Sequence, residues 1–237
     1  MRIRRVVTTR AGGASRPPYD SFNLGDHVGD DPAAVTANRA RLAAELGLPE
    51  RRIAWMEQVH GRTATIVGPV GPDPARPAEA TDALVSATPG LAVAVLVADC
   101  VPVLLGDPEA GVVAAVHAGR VGARVGVVPA ALAAMRSVGA DVSRLEALLG
   151  PAICGDCYEV PAAMADDVEA HLPGAACRSR AGTPGLDLRA GLWRQLADAG
   201  VARIGVDPRC TAEDETLFSY RRDGTTGRLA AVTWVEA

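Results

Sequence analysis

The chain has 237 residues, a formal net charge of −4, 49% hydrophobic residues and 22% charged ones. That balance is too apolar for a disordered chain and lacks the basic excess of a nucleic-acid binder. All 24 basic residues are Arg; with no Lys, Schiff-base and pyridoxal chemistry are excluded, and a phosphate-binding cation has to be an Arg.

Ile3–Thr9 is β-branched and reads as a strand, followed by a Gly/Pro/Ser-rich loop to Leu24. The next segment predicts a helix with Asp30 or Asp31 as cap, Pro32 in the first turn, Val35, Leu42 and Leu46 near helical spacing, and Gly47 as stop. Strands are expected at Ile53–Glu57, Thr63–Val67, Ala83–Ser86, Ala92–Val97, Val103–Gly106 and Val112–Val116, with a Pro-rich surface loop at 68–80. Val125–Val138 predicts a second helix and Leu145–Leu149 a short strand; Pro161–His171 and Asp187–Ala199 predict helices, separated by a loop at 174–185. Ala202–Val206 and Arg228–Val235 close the chain as strands. This order predicts one α/β (α+β) domain over residues 1–237, a mixed β-sheet core with flanking helices. The longest apolar run, Leu91–Ala98, is too short to span a bilayer. No secretory signal is visible, and five widely spread Cys suit a reducing cytoplasm, with thiols rather than disulfides.

Reactive residues stand at strand ends beside Gly or Pro in Trp55–Gly61, Val97–Pro102 and Val116–Gly119. A buried strand that stops at a polar residue commonly delivers it to a pocket. Cys100 alone reads as readily as a small buried hydrophobe. Together, His60, Cys100 and His117 form an N, S, N donor set that, with one open position, suits a catalytic zinc site. The same residues suit a metal-free Cys–His nucleophile pair. One mononuclear site is the limit for a copper enzyme here: multicopper centres rest mostly on imidazole, and four His cannot supply them.

Gly119, Gly122 and Gly126 open a turn into a helix, an arrangement that suits an anion, with Arg120 and Arg124 beside it. Arg39 on the first helix, and Arg221 and Arg222 ahead of an Asp-Gly turn, are further anion candidates; the alternative for the latter pair is an edge hairpin with exposed charge. His27 lies in a Gly-rich loop where Asn23 and Asp26 could bind a polar ligand. Cys154 and Cys157 have CxxC spacing, but with no second CxxC they read as bystander thiols. Asp73, Glu79 and His171 read as solvated surface.

The segments TTRAGGAS, NLGDHVGDDP, ANRARL, QVHG, ATDALVS, ADCVPVLL, AAVHAGR, LGPAI, CYEV, RCT and LFSYRRDGTTGRLA, in order from about Thr8 to Ala230, resemble the YfiH-like, laccase-domain family. The resemblance implies a single α/β/α-type domain related to cysteine-hydrolase-like proteins. It implies purine nucleoside phosphorylase activity, with adenosine deaminase and methylthioadenosine phosphorylase activities; polyphenol oxidase and peptidoglycan editing factor are older names in the family. It places zinc on His60, Cys100 and His117, and a family arginine on Arg39. It implies purine nucleosides and inorganic phosphate as partners, while the charge balance and the short apolar runs predict no nucleic acid and no membrane.

The sequence departs from the family's AGWRG pattern after His117, reading Ala118-Gly119-Arg120-Val121-Gly122, so that a Trp is replaced by Arg. Substrate or phosphate contacts are expected from Arg39, Gly119, Arg120, Asn23, His27 and Arg221. The proton carrier is expected to be Asp99 beside the nucleophile or ligand Cys100, with Glu57 second. A copper polyphenol oxidase on the same ligands and a metal-free Cys–His hydrolase editing cell-wall precursors are the rival readings, and a monomer or weak homo-oligomer is expected.

Overall fold

A computed structural model describes residues 1–68 and 76–237. Asp73 and part of the Pro-rich stretch lie outside the described residues.

The strands are β1 (Ile3–Val7), β2 (Ile53–Ala54), β3 (Ala64–Ile66), β4 (Ala83–Ser86), β5 (Ala92–Val97), β6 (Val101–Asp107), β7 (Val112–Ala118), β8 (Glu146–Leu149), β9 (Ala176–Arg178), β10 (Pro184–Leu186), β11 (Arg203–Val206) and β12 (Leu229–Val235). The helices are α1 (Pro32–Leu46), α2 (Arg120–Arg124), α3 (Val127–Ser137), α4 (Ala162–His171), α5 (Leu188–Asp198) and α6 (Tyr220–Asp223). One sheet runs β1-β12-β5-β2 and a second runs β11-β8-β6-β7-β4-β3. Both are mixed: β2 is parallel to β5, β3 to β4 and β11 to β8, and the remaining pairs are antiparallel.

The layering follows from the two-residue period of the central strands. In β5, Val93, Val95 and Val97 join one core with Val113 and Ala115 of β7 and Leu229 and Ala231 of β12, which places that core between the sheets. The alternate residues Ala92, Ala94 and Leu96 pack with Leu42 and Ala43 of α1 on the outer face of the four-stranded sheet. Val112, Ala114 and Val116 of β7 pack with Leu132 and Met135 of α3, Val168 of α4 and Leu192 of α5. The result is four layers, helix on sheet on sheet on helices, so the expected sheet core is two sheets packed face to face. Both faces of the inner strands are apolar, which is why they read as continuous hydrophobic runs rather than alternating ones.

Helix α1 forms as its sequence dictates: the Asp31 carboxylate accepts from Ala33 N, Pro32 takes the first position, and Gly47 at φ 68° closes the end. Its buried Asn38 ties down the preceding loop, donating to Ser15 Oγ and to the carbonyls of Ser21 and Asn23.

Three expectations are corrected. The helix expected over Val125–Val138 is α3, starting after Gly126 at φ 88°, but the Gly-rich turn ahead of it holds a short helix of its own, α2. The loop predicted over 174–185 contains an antiparallel hairpin, β9 with β10, whose three-residue strands are too short to show a period. The segment after Ser219 is a single helical turn, α6, capped by Ser219 Oγ on Arg222 N, rather than an edge hairpin. Among the described residues, no helix is long and apolar enough to cross a membrane.

Candidate active site

The chain crosses from one sheet to the other between the end of β5 at Val97 and the start of β6 at Val101. Asp99 makes that turn at φ 103°, a conformation unfavourable for a residue with a Cβ and often found beside a functional group. Cys100 follows it. His117 arrives from the last turn of pleat in β7, and His60 from the loop after β2, also at positive φ (59°). One ligand atom from each of His60, Cys100 and His117 lies within 4.8 Å of the others. Cys100 Sγ is 3.9 Å from His60 Nε2, and the imidazoles meet edge to face at 4.7 Å between centroids.

Asp82, fully buried just before β4, orders this group. Its carboxylate accepts hydrogen bonds from His117 Nδ1 (2.8 Å) and from the backbone amides of His60 (2.9 Å), Gly61 (2.6 Å) and Val59 (3.3 Å). The His117 Nδ1–Asp82 hydrogen bond leaves Nε2 as the atom available to a metal, the carboxylate–histidine support common around metal sites. Burial pushes the Asp82 carboxyl up, but the His117 imidazole and the backbone amides outweigh it and the net direction is down. Burial likewise pushes the Cys100 thiol up; His117 and His60 reverse this and bring it down to about 6. Burial pushes His117 down, and the Cys100 thiolate with Asp82 raises it to about 9. A thiolate beside two imidazoles, one oriented from behind, is a donor set that fits zinc or copper.

The group opens into a cavity of about 500 Å³. Leu96, Val97, Ala98, Ile153 and Leu188 give it an apolar wall; Arg120, Arg221 and Arg228 supply cations; Gln58, Tyr158, Tyr220 and His27 add polar atoms. Gln58 is held by a reciprocal pair of hydrogen bonds with Leu96 N and O, both 2.8 Å, which pins the His60 loop to β5. The Arg221 guanidinium lies 5.0 Å over the Tyr158 ring and donates to Cys157 O and Glu159 O at 3.3 Å. Burial pushes the Tyr158 phenol up, against the pull of Arg120 and Arg221. Arg228, half-buried, has its guanidinium pulled down by burial and donates to Thr226 O and Gly227 O.

Residues 4–236 match the profile of a family described as multi-copper polyphenol oxidoreductase laccase. The chain belongs to this family. It is 62% identical over 237 residues to a Mycobacterium tuberculosis protein named purine nucleoside phosphorylase, covering all of this chain and 93% of that one. A Corynebacterium glutamicum protein of the same name is 60% identical, covering 98% of this chain and 94% of that one. The crystal structure of YlmD from Geobacillus stearothermophilus superimposes with a TM-score of 0.92 at 34% identity, covering 99% of this chain and 92% of that one.

Of the residues expected from this laccase-like family and from the strand ends, His60, Asp99, Cys100, His117, Arg120, Arg221 and His27 meet in the cavity wall. Arg39 does not. Its guanidinium stacks 4.4 Å over Trp55, pairs with Asp26 at 3.2 Å and donates to Leu24 O, so it is committed to the loop that carries His27. Asn23 is also outside the wall: fully buried, it donates to Gly25 O and Asp30 and accepts from Gly25 N and Arg228 N. Gly119 backs onto the donors; a Cβ there would stand 2.8 Å from His60 Cδ2 and 2.9 Å from Cys100 Sγ. The Gly-rich turn is therefore a close-packing device, and it opens a helix of only five residues. Arg124 leaves the site to pair with Asp167, Arg222 is spent on Asp223 and the carbonyls of Thr211 and Leu217, and Glu57 is exposed outside the cavity wall.

Asp99, expected to carry a proton, has its carboxylate filled by three donors: Thr211 Oγ1 at 2.6 Å, Ser219 Oγ at 2.7 Å and Arg221 N at 2.7 Å. That geometry holds a turn and the Arg221 arm. Asp82, Arg228, Gln58, Tyr158 and Tyr220 were not singled out from sequence as site residues. For Asp82 and Arg228 a signal was present, since each directly precedes a buried strand, as Cys100 does, while His117 lies at the end of one.

Proposed function

We propose that the protein is a zinc-dependent purine nucleoside phosphorylase acting on adenosine or inosine with inorganic phosphate, with adenosine deamination and methylthioadenosine phosphorolysis as accompanying activities. The observation that carries this reading is a single cavity lined by the His60, Cys100 and His117 donors, by Arg120, Arg221 and Arg228, and by apolar side chains. The relatives named purine nucleoside phosphorylase support the same reading.

In phosphorolysis a phosphate oxygen bonds to ribose C1′, the C1′–N9 bond breaks, and its electron pair leaves with the purine, which takes up a proton. Phosphate is a mixture of monoanion and dianion at neutral pH, and three Arg residues lining one cavity are suited to hold it by charge-assisted hydrogen bonds. Leu96, Ile153 and Leu188 give the purine ring an apolar seat and exclude the water that would compete with phosphate. The Tyr158 phenol, kept protonated by burial, is a hydrogen-bond donor toward a purine nitrogen. Zinc held by His60, Cys100 and His117 would supply a Lewis acid at this wall. Asp82 is a positioning residue for His60 and His117, and Asp99 one for Cys100 and Arg221.

The test is product detection with adenosine or inosine under anaerobic conditions, with and without phosphate. Phosphate-dependent appearance of ribose 1-phosphate with adenine or hypoxanthine is expected. Inosine from adenosine without base release would leave only deamination, and no turnover of nucleosides would overturn the reading. Oxygen-dependent oxidation of phenols would favour the copper account. Zinc retained in Cys100→Ser with activity lost would favour a cysteine nucleophile.

A further inference from the structure

A second sulfur-rich cluster lies behind the cavity wall. Cys154, Cys157, Cys210 and Glu213 each bring one ligand atom to within 4.8 Å of the others. They come from two turns of the same form. In the first, Cys157 N and Tyr158 N both close on Cys154 O, at 3.1 and 3.0 Å, which puts the Cys154 and Cys157 side chains on one side. In the second, Glu213 N and Asp214 N close on Cys210 O, at 3.1 and 2.8 Å, which does the same for Cys210 and Glu213. The turns are joined where Thr211 N donates to Ala152 O at 3.2 Å, and Cys154 N donates directly to Cys210 Sγ at 3.3 Å. Arg180 stands over the rim, pairing with Glu213 and, at 3.7 Å, with Asp156.

We propose that these four residues form a second, structural zinc site, with Cys154, Cys157, Cys210 and Glu213 as a closed ligand set. Two facing turns that each present a pair of donors at i and i+3 make the kind of closed four-donor arrangement that structural zinc occupies, in contrast to the open three-donor set of His60, Cys100 and His117. Three sulfurs select a soft or borderline ion such as zinc over magnesium or calcium. Binding exchanges the thiol protons for one divalent ion, and the Arg180 guanidinium offsets the negative charge that three thiolates and a carboxylate leave. The fifth cysteine, Cys177, is outside the set and donates to Gly155 O.

The site would staple the wall on which the nucleoside cavity depends. Ile153 and Tyr158 line that cavity from the first turn. Cys157 O receives the Arg221 guanidinium, and Thr211, next to Cys210, holds Asp99. The zinc count of the reduced, full-length protein is the direct readout, with about two zinc per chain expected, one for each donor set. Cys154→Ser/Cys157→Ser should lose about one, His60→Ala/His117→Ala should lose the other, and the combination should hold none. In the His60→Ala/His117→Ala background, cobalt substitution should give an intense sulfur-to-metal charge-transfer band that Cys210→Ser weakens. If the paired Ser variant fails to fold, Glu213→Gln in the wild-type background should still weaken zinc retention against a chelator without removing a sulfur. A zinc count of about one that Cys154→Ser/Cys157→Ser leaves unchanged would overturn the proposal. So would an intact mass showing a disulfide in the protein as purified. Neither result bears on nucleoside turnover, so failure here and failure of the phosphorylase reading are separable.

Discussion

Replacing Asp82 by Asn tests how the donor triad is held. The carboxylate receives four donors: Oδ1 takes His117 Nδ1 and His60 N, and Oδ2 takes Gly61 N at 2.6 Å and Val59 N at 3.3 Å. An amide offers one oxygen. If it replaces Oδ1, the NH₂ faces the Gly61 and Val59 amides, two donors against a donor; if it replaces Oδ2, the clash moves to His117 and His60. Either way a fully buried donor is left unpaired, which costs about 1–3 kcal/mol. Loss of such a carboxylate partner lowers metal affinity about 10- to 100-fold, or about 1.4–2.8 kcal/mol. The assay is zinc competition against a chromophoric chelator, run beside denaturant unfolding of the zinc-free protein. Weakened zinc binding is expected to exceed what the unfolding shift alone would produce. Zinc affinity within about twofold of wild type in a folded variant would refute Asp82 as the orienting group.

Arg228→Ala and Arg120→Ala should each raise the KM for phosphate about 10- to 100-fold, the worth of a charged hydrogen bond, with little change in the KM for nucleoside. Arg39→Ala should leave the phosphate KM within about twofold, because its guanidinium is bound to Asp26 and Trp55, and should show instead as a Tm loss of about 2–4 °C; a large phosphate effect would contradict the placement. Gly119→Ala should cost about 1–3 kcal/mol in stability and deplete bound zinc, since the added methyl meets His60 and Cys100; zinc analysis checks it. Asp107 sets an acid limit on folding. Burial pushes its carboxyl up, but Arg144 at 3.0 Å and the amides of Asp141, Ala110 and Glu109 bring it from 3.8 down to about 2. A depressed native value means the stabilisation is complete above pH 4 and is lost as pH falls toward 2; it amounts to about 2 kcal/mol. The stability difference between wild type and Asp107→Asn, followed by urea unfolding, should therefore shrink across that window, and a difference independent of pH would refute it.

The inner strands were legible because they are buried on both faces, so Ala92–Val97 and Val112–Val116 carry uninterrupted apolar runs that no surface element would tolerate. Helix α1 was legible because its stop and start chemistry is local: Asp31, Pro32 and Gly47 each act within a turn. The hairpin β9–β10 was not, because three residues cannot display a period, and its pairing depends on contacts between Ala176–Arg178 and Pro184–Leu186 that sequence spacing does not encode. The donor triad was found from the strand-end rule and the family resemblance together. Arg39 matches the family pattern, and its position on α1 pairs it with Asp26 and Trp55 rather than placing it in the cavity wall, which spacing along the chain does not encode. Cys154 and Cys157 read as bystanders because their partners, Cys210 and Glu213, are over 50 residues away and arrive only through the Ala152–Thr211 contact.

The placement of the site follows from the need to connect two stacked sheets. Strands β5 and β6 belong to different sheets, and only Ala98, Asp99 and Cys100 separate them. In this short crossing Asp99 takes a positive φ. Its side chain compensates by collecting Thr211, Ser219 and the first amide of α6, which draws the Arg221 segment over the crossing. The same turn therefore aims the Cys100 sulfur at His60 and His117 and fixes the cationic arm opposite it. The proposed metal donor Cys100 and the proposed phosphate cation Arg221 thus depend on one topological constraint, and a substitution at Asp99 is expected to disturb both together, although its carboxylate is consumed in holding the turn.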